Sequence, residues 1–153
     1  MPLIDDRHWM QEAIDLSKLC PFSEKAYSVG AIIISAVGKR ISTGYSREKG
    51  YMHAEEIAIQ KAKTLNEDLS HCILYTTMEP CSKRLSGTPS CSQHILEEHI
   101  PRVCFALREP PIFVQCEGER LLKEGGVHVV EMSDFAKEVK KVNMHLLKIH
   151  GID

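Results

Sequence analysis

The chain of 153 residues contains no long apolar run. Nothing in it approaches the roughly 18 consecutive apolar residues that a membrane-crossing helix needs, so no membrane partner is expected. It also lacks the basic start and apolar block of a secretory leader. The first residues read M-P-L-I-D-D, which points to a cytoplasmic protein. Concentrated positive charge is missing too: 19 Lys and Arg stand against 21 Asp and Glu, a formal net charge of −2. Proteins that grip nucleic acid gather cations to displace counterions. The nearest approach to a basic run, Lys137, Lys140 and Lys141, reads as a solvated helix face. Aromatics make up only 6% of the chain, and none interleave with basic residues as a single-strand binding surface requires. No nucleic-acid partner is expected. Repeats, low-complexity tracts and linkers are also absent, so residues 1–153 read as one domain.

Six cysteines are present: Cys20, Cys72, Cys81, Cys91, Cys104 and Cys116. An even count permits three disulfides, but nothing marks secretion, and a chain of this length can bury a core without staples. Cys72 and Cys104 lie in apolar, strand-like runs, where a free cysteine packs as a small hydrophobe. Cys81 and Cys91 sit among turn formers and need another explanation.

Periodicity gives the elements. Trp9, Ala13, Leu16 and Cys20 recur at helical spacing behind Asp5 and Asp6, with Pro21 ending that helix. The V-G-A-I-I-I-S run over 29–35 reads as a buried strand, and Gly38-Lys39 turns into a second strand over 40–45. A helical stripe of Ala54, Ile57, Ala58, Ala62 and Leu65 begins at His53. Strands follow over 72–77 and 103–107, separated by a turn-rich loop and a short helix over 91–98. A helix over 119–123 stops at Gly125-Gly126, and 127–130 forms the last strand. Ser133 is expected to cap one final helix with the stripe Phe135, Val139, Val142, Leu146 and Ile149. Alternation of strands and helices after one hairpin predicts a three-layer α/β/α fold around a mixed five-stranded sheet. Function in such sheets collects beyond the strand ends, where helices begin.

Two segments with chemistry fall there. His53-Ala54-Glu55 opens a helix, Glu79-Pro80-Cys81 ends a strand, and Cys91 opens another helix. One imidazole and two thiolates suit tetrahedral Zn2+ and leave the fourth position for water, which is the catalytic rather than the structural arrangement. Glu55 is too near His53 in the chain to be a separate ligand, but it can reach that water and move protons. The remaining histidines, such as His71, His94 or His145, read as ordinary surface or core residues. H-x-E followed by P-C and a second cysteine is the pattern of zinc deaminases acting on nucleobases, although nine residues separate the cysteines here instead of two.

The chain resembles the cytidine-deaminase superfamily, and within it the pyrimidine deaminases of riboflavin biosynthesis, fungal type above all. The resemblance runs from about Tyr27 to Val130 and is carried by S-T-G-Y-S-R-E (42–48), H-A-E-E (53–56) and L-Y-T-T-M-E-P-C-S-K-R-L-S-G (74–87). It implies a cytidine-deaminase-like fold, zinc held by His53, Cys81 and Cys91, and Glu55 as proton shuttle. The implied substrate is 2,5-diamino-6-ribitylamino-pyrimidinone 5′-phosphate, which loses ammonia from ring carbon 2. The chain departs from bacterial members at Ala26-Tyr27-Ser28, where they carry Asn-Pro, and at Ser46 and Lys83, where they carry histidines. These departures favour the order of steps in which the sugar is reduced before deamination. Arg47, Ser82, Lys83 and Arg84 are the expected contacts for a small phosphorylated pyrimidine, with Lys49, Ser86, Gly87 and Thr88 nearby and Tyr45 or Tyr51 against the ring. The resemblance also implies a homodimer. Two other readings stay open: a deaminase of a free nucleoside, nucleotide or base (cytidine, deoxycytidylate or guanine), and a non-catalytic zinc-stabilised binding module.

Overall fold

The segment Gly30–Ile34 (β1) is buried at every position, as a strand covered on both faces must be. It pairs antiparallel with Arg40–Tyr45 (β2) on one side and with Ile73–Met78 (β3) on the other. Arg102–Leu107 (β4) joins β3 in parallel, and His128–Glu131 (β5) joins β4 in parallel, so the order is β2-β1-β3-β4-β5. This is the mixed five-stranded sheet that the alternating pattern predicts. The computed structural model describes residues 4–152; residues 1–3, part of the start read above for a leader, and residue 153 lie outside the described residues. No described helix is long and apolar enough to cross a membrane.

Asp6–Ser17 (α1) and Ala136–Val142 (α5) pack on one face of the sheet, and Ala54–Thr64 (α2), Cys91–Glu97 (α3) and Gly118–Glu124 (α4) on the other. Two glycines set the spacing of these layers. A Cβ on Gly30 would collide with the Ala13 carbonyl of α1, and one on Gly44 with the Ala54 carbonyl at the start of α2. Only glycine lets backbone approach backbone so closely. The start of α2 is therefore pinned against β2, which fixes where His53 stands.

Three boundaries differ from the sequence expectation. α1 stops at Ser17, short of Cys20; the residue before a proline avoids the helical region, and the Cys20 thiol instead donates to the Val29 carbonyl. The final helix is two helices, α5 and Met144–Ile149 (α6), meeting at the fully buried Asn143. Ser133 opens a short 3-10 turn, Ser133–Phe135, without capping it through its side chain. The expected stripe also shifts: Leu146 and Leu147 are buried whereas Ile149 is exposed.

The layers are tied at the start of α1. The Asp6 carboxylate accepts two hydrogen bonds from the Arg102 guanidinium of β4, at 2.9 and 2.7 Å, and one from the Tyr75 hydroxyl of β3. The bonds from Arg102 hold the Asp6 carboxyl below its ordinary range. A depressed folded-state pKa contributes stability that is present above the ordinary value and lost as pH falls through the folded one. With part of the pair exposed, the contribution is about 1 kcal/mol. Asp6→Asn should therefore lower the melting temperature near neutrality by a few degrees, and the gap to the parent should close in acid. Thermal melts across the acid range check both.

Candidate metal centre and cavity

Each metal donor stands at the end of an element, and local chemistry explains why. His53 is the N-cap of α2, and Glu56 reaches back to it: the Glu56 carboxylate accepts the His53 backbone N–H at 3.1 Å. Ser90 caps α3 through its hydroxyl, and Gln93 reaches back to the Ser90 N–H. Cys91 is thereby the first residue of α3, and its N–H points to the Cys81 sulfur at 3.2 Å. Cys81 follows β3 through Glu79 and Pro80. The Cys81 carbonyl accepts the Ser92 N–H at 3.1 Å, so the α3 start clasps this segment twice.

The three donors converge. His53 Nδ1 lies 3.6 Å from Cys81 Sγ and 3.4 Å from Cys91 Sγ, and all three donor atoms lie within 4.8 Å of one another. A tetrahedral zinc bonds sulfur at about 2.3 Å and nitrogen at about 2.0 Å, which sets N and S about 3.5 Å apart. The spacing and donor set fit that ion. A thiol hydrogen bond from Cys91 pulls the Cys81 thiol well below its ordinary value and pushes Cys91 up. Burial works against protonation of His53, but the bond to Cys81 and the negative charges of Cys81 and Glu55 together outweigh it and raise the imidazole above its ordinary value.

Glu55 is the second residue of α2 and is 4% exposed. Burial pushes its carboxyl up to about 7, against the pull of His53. A group that titrates near the working pH can both take and return a proton. Glu55, His53 and Cys81 line one wall of a cavity of about 390 Å³.

The expected substrate contacts are distributed unevenly. Arg47, Lys83 and Arg84 line the cavity, as does Tyr51, whereas Ser82, Tyr45, Lys49 and Thr88 do not. Lys83 is exposed and, among the described residues, makes no ion pair. Arg84 spends its guanidinium on Glu56 at 2.9 Å and on the Tyr51 carbonyl at 3.3 Å. Arg47 sits at φ 63° and directs its donors to the Pro21 and Tyr27 carbonyls and the Ser28 hydroxyl. The Ser82 hydroxyl accepts the Glu117 N–H at 2.8 Å and so holds the loop from behind.

The cavity also has residues that the sequence reading passed over. Tyr27, Val29, Glu109 and Phe113 are among its lining. One carboxylate oxygen of Glu109 is buried without a hydrogen-bond partner, and burial raises that carboxyl to about 7. A signal for it was present: β3 and β4 both run into Glu-Pro, at Glu79-Pro80 and Glu109-Pro110. The first glutamate ties the two strand ends together, accepting the Glu109 and Glu119 N–H groups. The second faces the cavity.

Comparison with known proteins agrees with this geometry. Residues 3–107 match the model of the cytidine and deoxycytidylate deaminase zinc-binding region. A diaminohydroxyphosphoribosylamino-pyrimidine deaminase of Schizosaccharomyces pombe is 45% identical over 130 residues, 83% of this chain and 32% of that one. A protein of the same description from Buchnera aphidicola is 31% identical over 144 residues, covering 94% of each. The Aspergillus oryzae Rib2 deaminase, solved in complex with DARIPP, superposes with a TM-score of 0.80 at 25% identity, over 90% of this chain and 88% of that one. The chain spans about a third of the length of the fungal relative and of several bacterial ones.

The closest backbone approach in the metal region yields a test. A Cβ on Gly118 would meet the Pro80 carbonyl, one residue from Cys81. Gly118→Ala must displace Pro80, and Cys81 with it. We expect a loss of about 2 kcal/mol in stability together with a fall in bound metal per chain, read by thermal melting and elemental analysis.

Proposed function

The chain belongs to the cytidine and deoxycytidylate deaminase zinc-binding family, and from that premise we propose that it deaminates 2,5-diamino-6-ribitylamino-pyrimidinone 5′-phosphate in riboflavin biosynthesis. The observation that carries the reading is one cavity wall with a buried carboxyl beside a His/Cys/Cys donor set. The likeness to pyrimidine deaminases from a fungus and a bacterium supports the substrate.

His53, Cys81 and Cys91 are the residues to hold zinc, which when bound supplies the Lewis acidity that makes water a nucleophile at neutral pH. Glu55 takes a proton of the attacking water and passes it to the ring nitrogen, then takes the remaining hydroxyl proton and gives it to the departing amine. The C–N bond at ring carbon 2 breaks, ammonia leaves, and a carbonyl remains. Glu109, with its free oxygen in the lining, accepts an N–H of the substrate. Lys83 is the cation available to the phosphate, with Arg84 beside it. Arg47 keeps one of its five N–H groups for the substrate, and Ser82 supports the loop. Residues 1–153 act as one deaminase domain, and the resemblance extends the reading to a cytoplasmic homodimer.

Glu55 speaks against a purely structural zinc site, which has no use for a buried proton carrier. Deamination of a free nucleoside, nucleotide or base is separated by assay. Zinc-loaded protein should release ammonia from the diamino-ribitylamino-pyrimidine phosphate and leave cytidine and deoxycytidylate untouched; the reverse preference would overturn the substrate. Fresh protein should carry about one zinc per chain. Glu55→Gln should keep that zinc and lose at least about a hundredfold in kcat. Lys83→Ala should raise KM about tenfold with kcat little changed, the signature of lost phosphate binding.

A further inference from the structure

The segment before β1 forms part of the cavity wall, and its last residue continues the β1–β2 pairing: the Val29 carbonyl accepts the Ser46 N–H at 3.0 Å. Tyr27 and Val29 face the cavity, while Ser28 between them does not. The backbone of these residues is held largely by side chains. Arg47 Nη1 donates to the Tyr27 carbonyl at 2.9 Å, and the Val29 N–H donates to the Ser46 hydroxyl at 2.9 Å. At Ser28 both backbone groups go to one residue, Asn143, at the junction of α5 and α6. Its Oδ1 accepts the Ser28 N–H at 2.7 Å and its Nδ2 donates to the Ser28 carbonyl at 3.1 Å. The same Nδ2 donates to the Val139 carbonyl of α5 at 3.1 Å, so the amide is anchored to its own helix as well.

An asparagine amide pairing with both backbone groups of one residue copies what a neighbouring strand would do. It also serves a purpose in α5–α6 that the hydrophobic stripe does not need. The contact extends along the segment: a His145 ring nitrogen lies 2.8 Å from the Ser23 carbonyl, and its ring lies 4.7 Å from that of Phe22. Arg47 takes hold of the same stretch through Pro21, Tyr27 and Ser28.

We propose that Asn143, acting through the Ser28 backbone, is a positioning residue for substrate binding, because it sets where Tyr27 and Val29 stand in the cavity wall. The inference rests on that cavity being the substrate site. The metal donors and Glu55 lie on α2, α3 and the end of β3, none of which is bonded to Asn143. Its loss should therefore move recognition and leave the reacting groups in place.

The test compares wild type, Asn143→Ala and Asn143→Asp, each as zinc-loaded protein. Asn143→Asp keeps the acceptor for the Ser28 N–H and loses both donated bonds, so it reads the proposal even if the alanine protein does not fold. Kinetics use whichever pyrimidine the wild type turns over. A wild type that ignores the diamino-ribitylamino-pyrimidine phosphate refutes the substrate reading alone. Expected for the variants is a KM raised about tenfold, kcat within about twofold, and unchanged zinc per chain. A purely structural role would lower the melting temperature while leaving KM unchanged. An unchanged KM in a zinc-loaded variant, or a loss confined to kcat, would overturn the proposal.

Discussion

Three donor atoms from three separate segments have to meet within a few ångströms, and much of the fold answers to that requirement. An imidazole at one helix start, a thiol beyond a strand end and a thiol at a second helix start share no local chain geometry. They are brought together because β3 is buried along its whole length and carries the Cys81 segment to a fixed place. Glu79 then locks the end of β3 to the end of β4 and the start of α4. Layer spacing at Gly44 and Gly118 does the same for the backbone around His53 and Cys81. A sheet that could slip would scatter the donors, whereas a packed interior has few alternative arrangements.

The cavity is built by two different kinds of bonding. Its reacting wall hangs on strand ladders and helix caps, where each bond is backed by its neighbours. Its other wall, from Ser23 to Ser28, hangs on individual side-chain bonds from Arg47, Asn143 and His145. A single bond of that kind contributes about 1 kcal/mol to stability. The part that handles protons is thus the more rigidly supported, and the part that meets the substrate is the more open to change by single substitutions.

The same division explains what could be read in advance. Strand and helix positions were legible because burial on both faces leaves short, continuous apolar runs in the central strands and a period of about 3.6 in the helices, and all five strands fall within a residue or so of that reading. His53, Glu55, Cys81 and Cys91 were legible because zinc chemistry demands particular residue types at element ends. The wall was not. Residues 21–28 carry no periodicity, and their partners lie at 47, 143 and 145, far from them in the chain. Asn143 falls between the stripe residues Val142 and Leu146 without any signal of its own; the buried amide and the helix junction emerge only when Ser28 is beside it. Arg47 drew notice as a charge for the substrate, and its left-handed backbone, which turns the guanidinium onto loop carbonyls, has no signature in a single sequence.

The dependence of the wall on Asn143 also orders events in time. Chains are made from the N-terminus, so a growing polypeptide holds all three metal donors once residue 91 has been added and β4 by residue 107. The clasp of Asn143 on Ser28 arrives some fifty residues after the last donor. The metal centre can therefore be assembled on a chain that still has no finished place for a substrate.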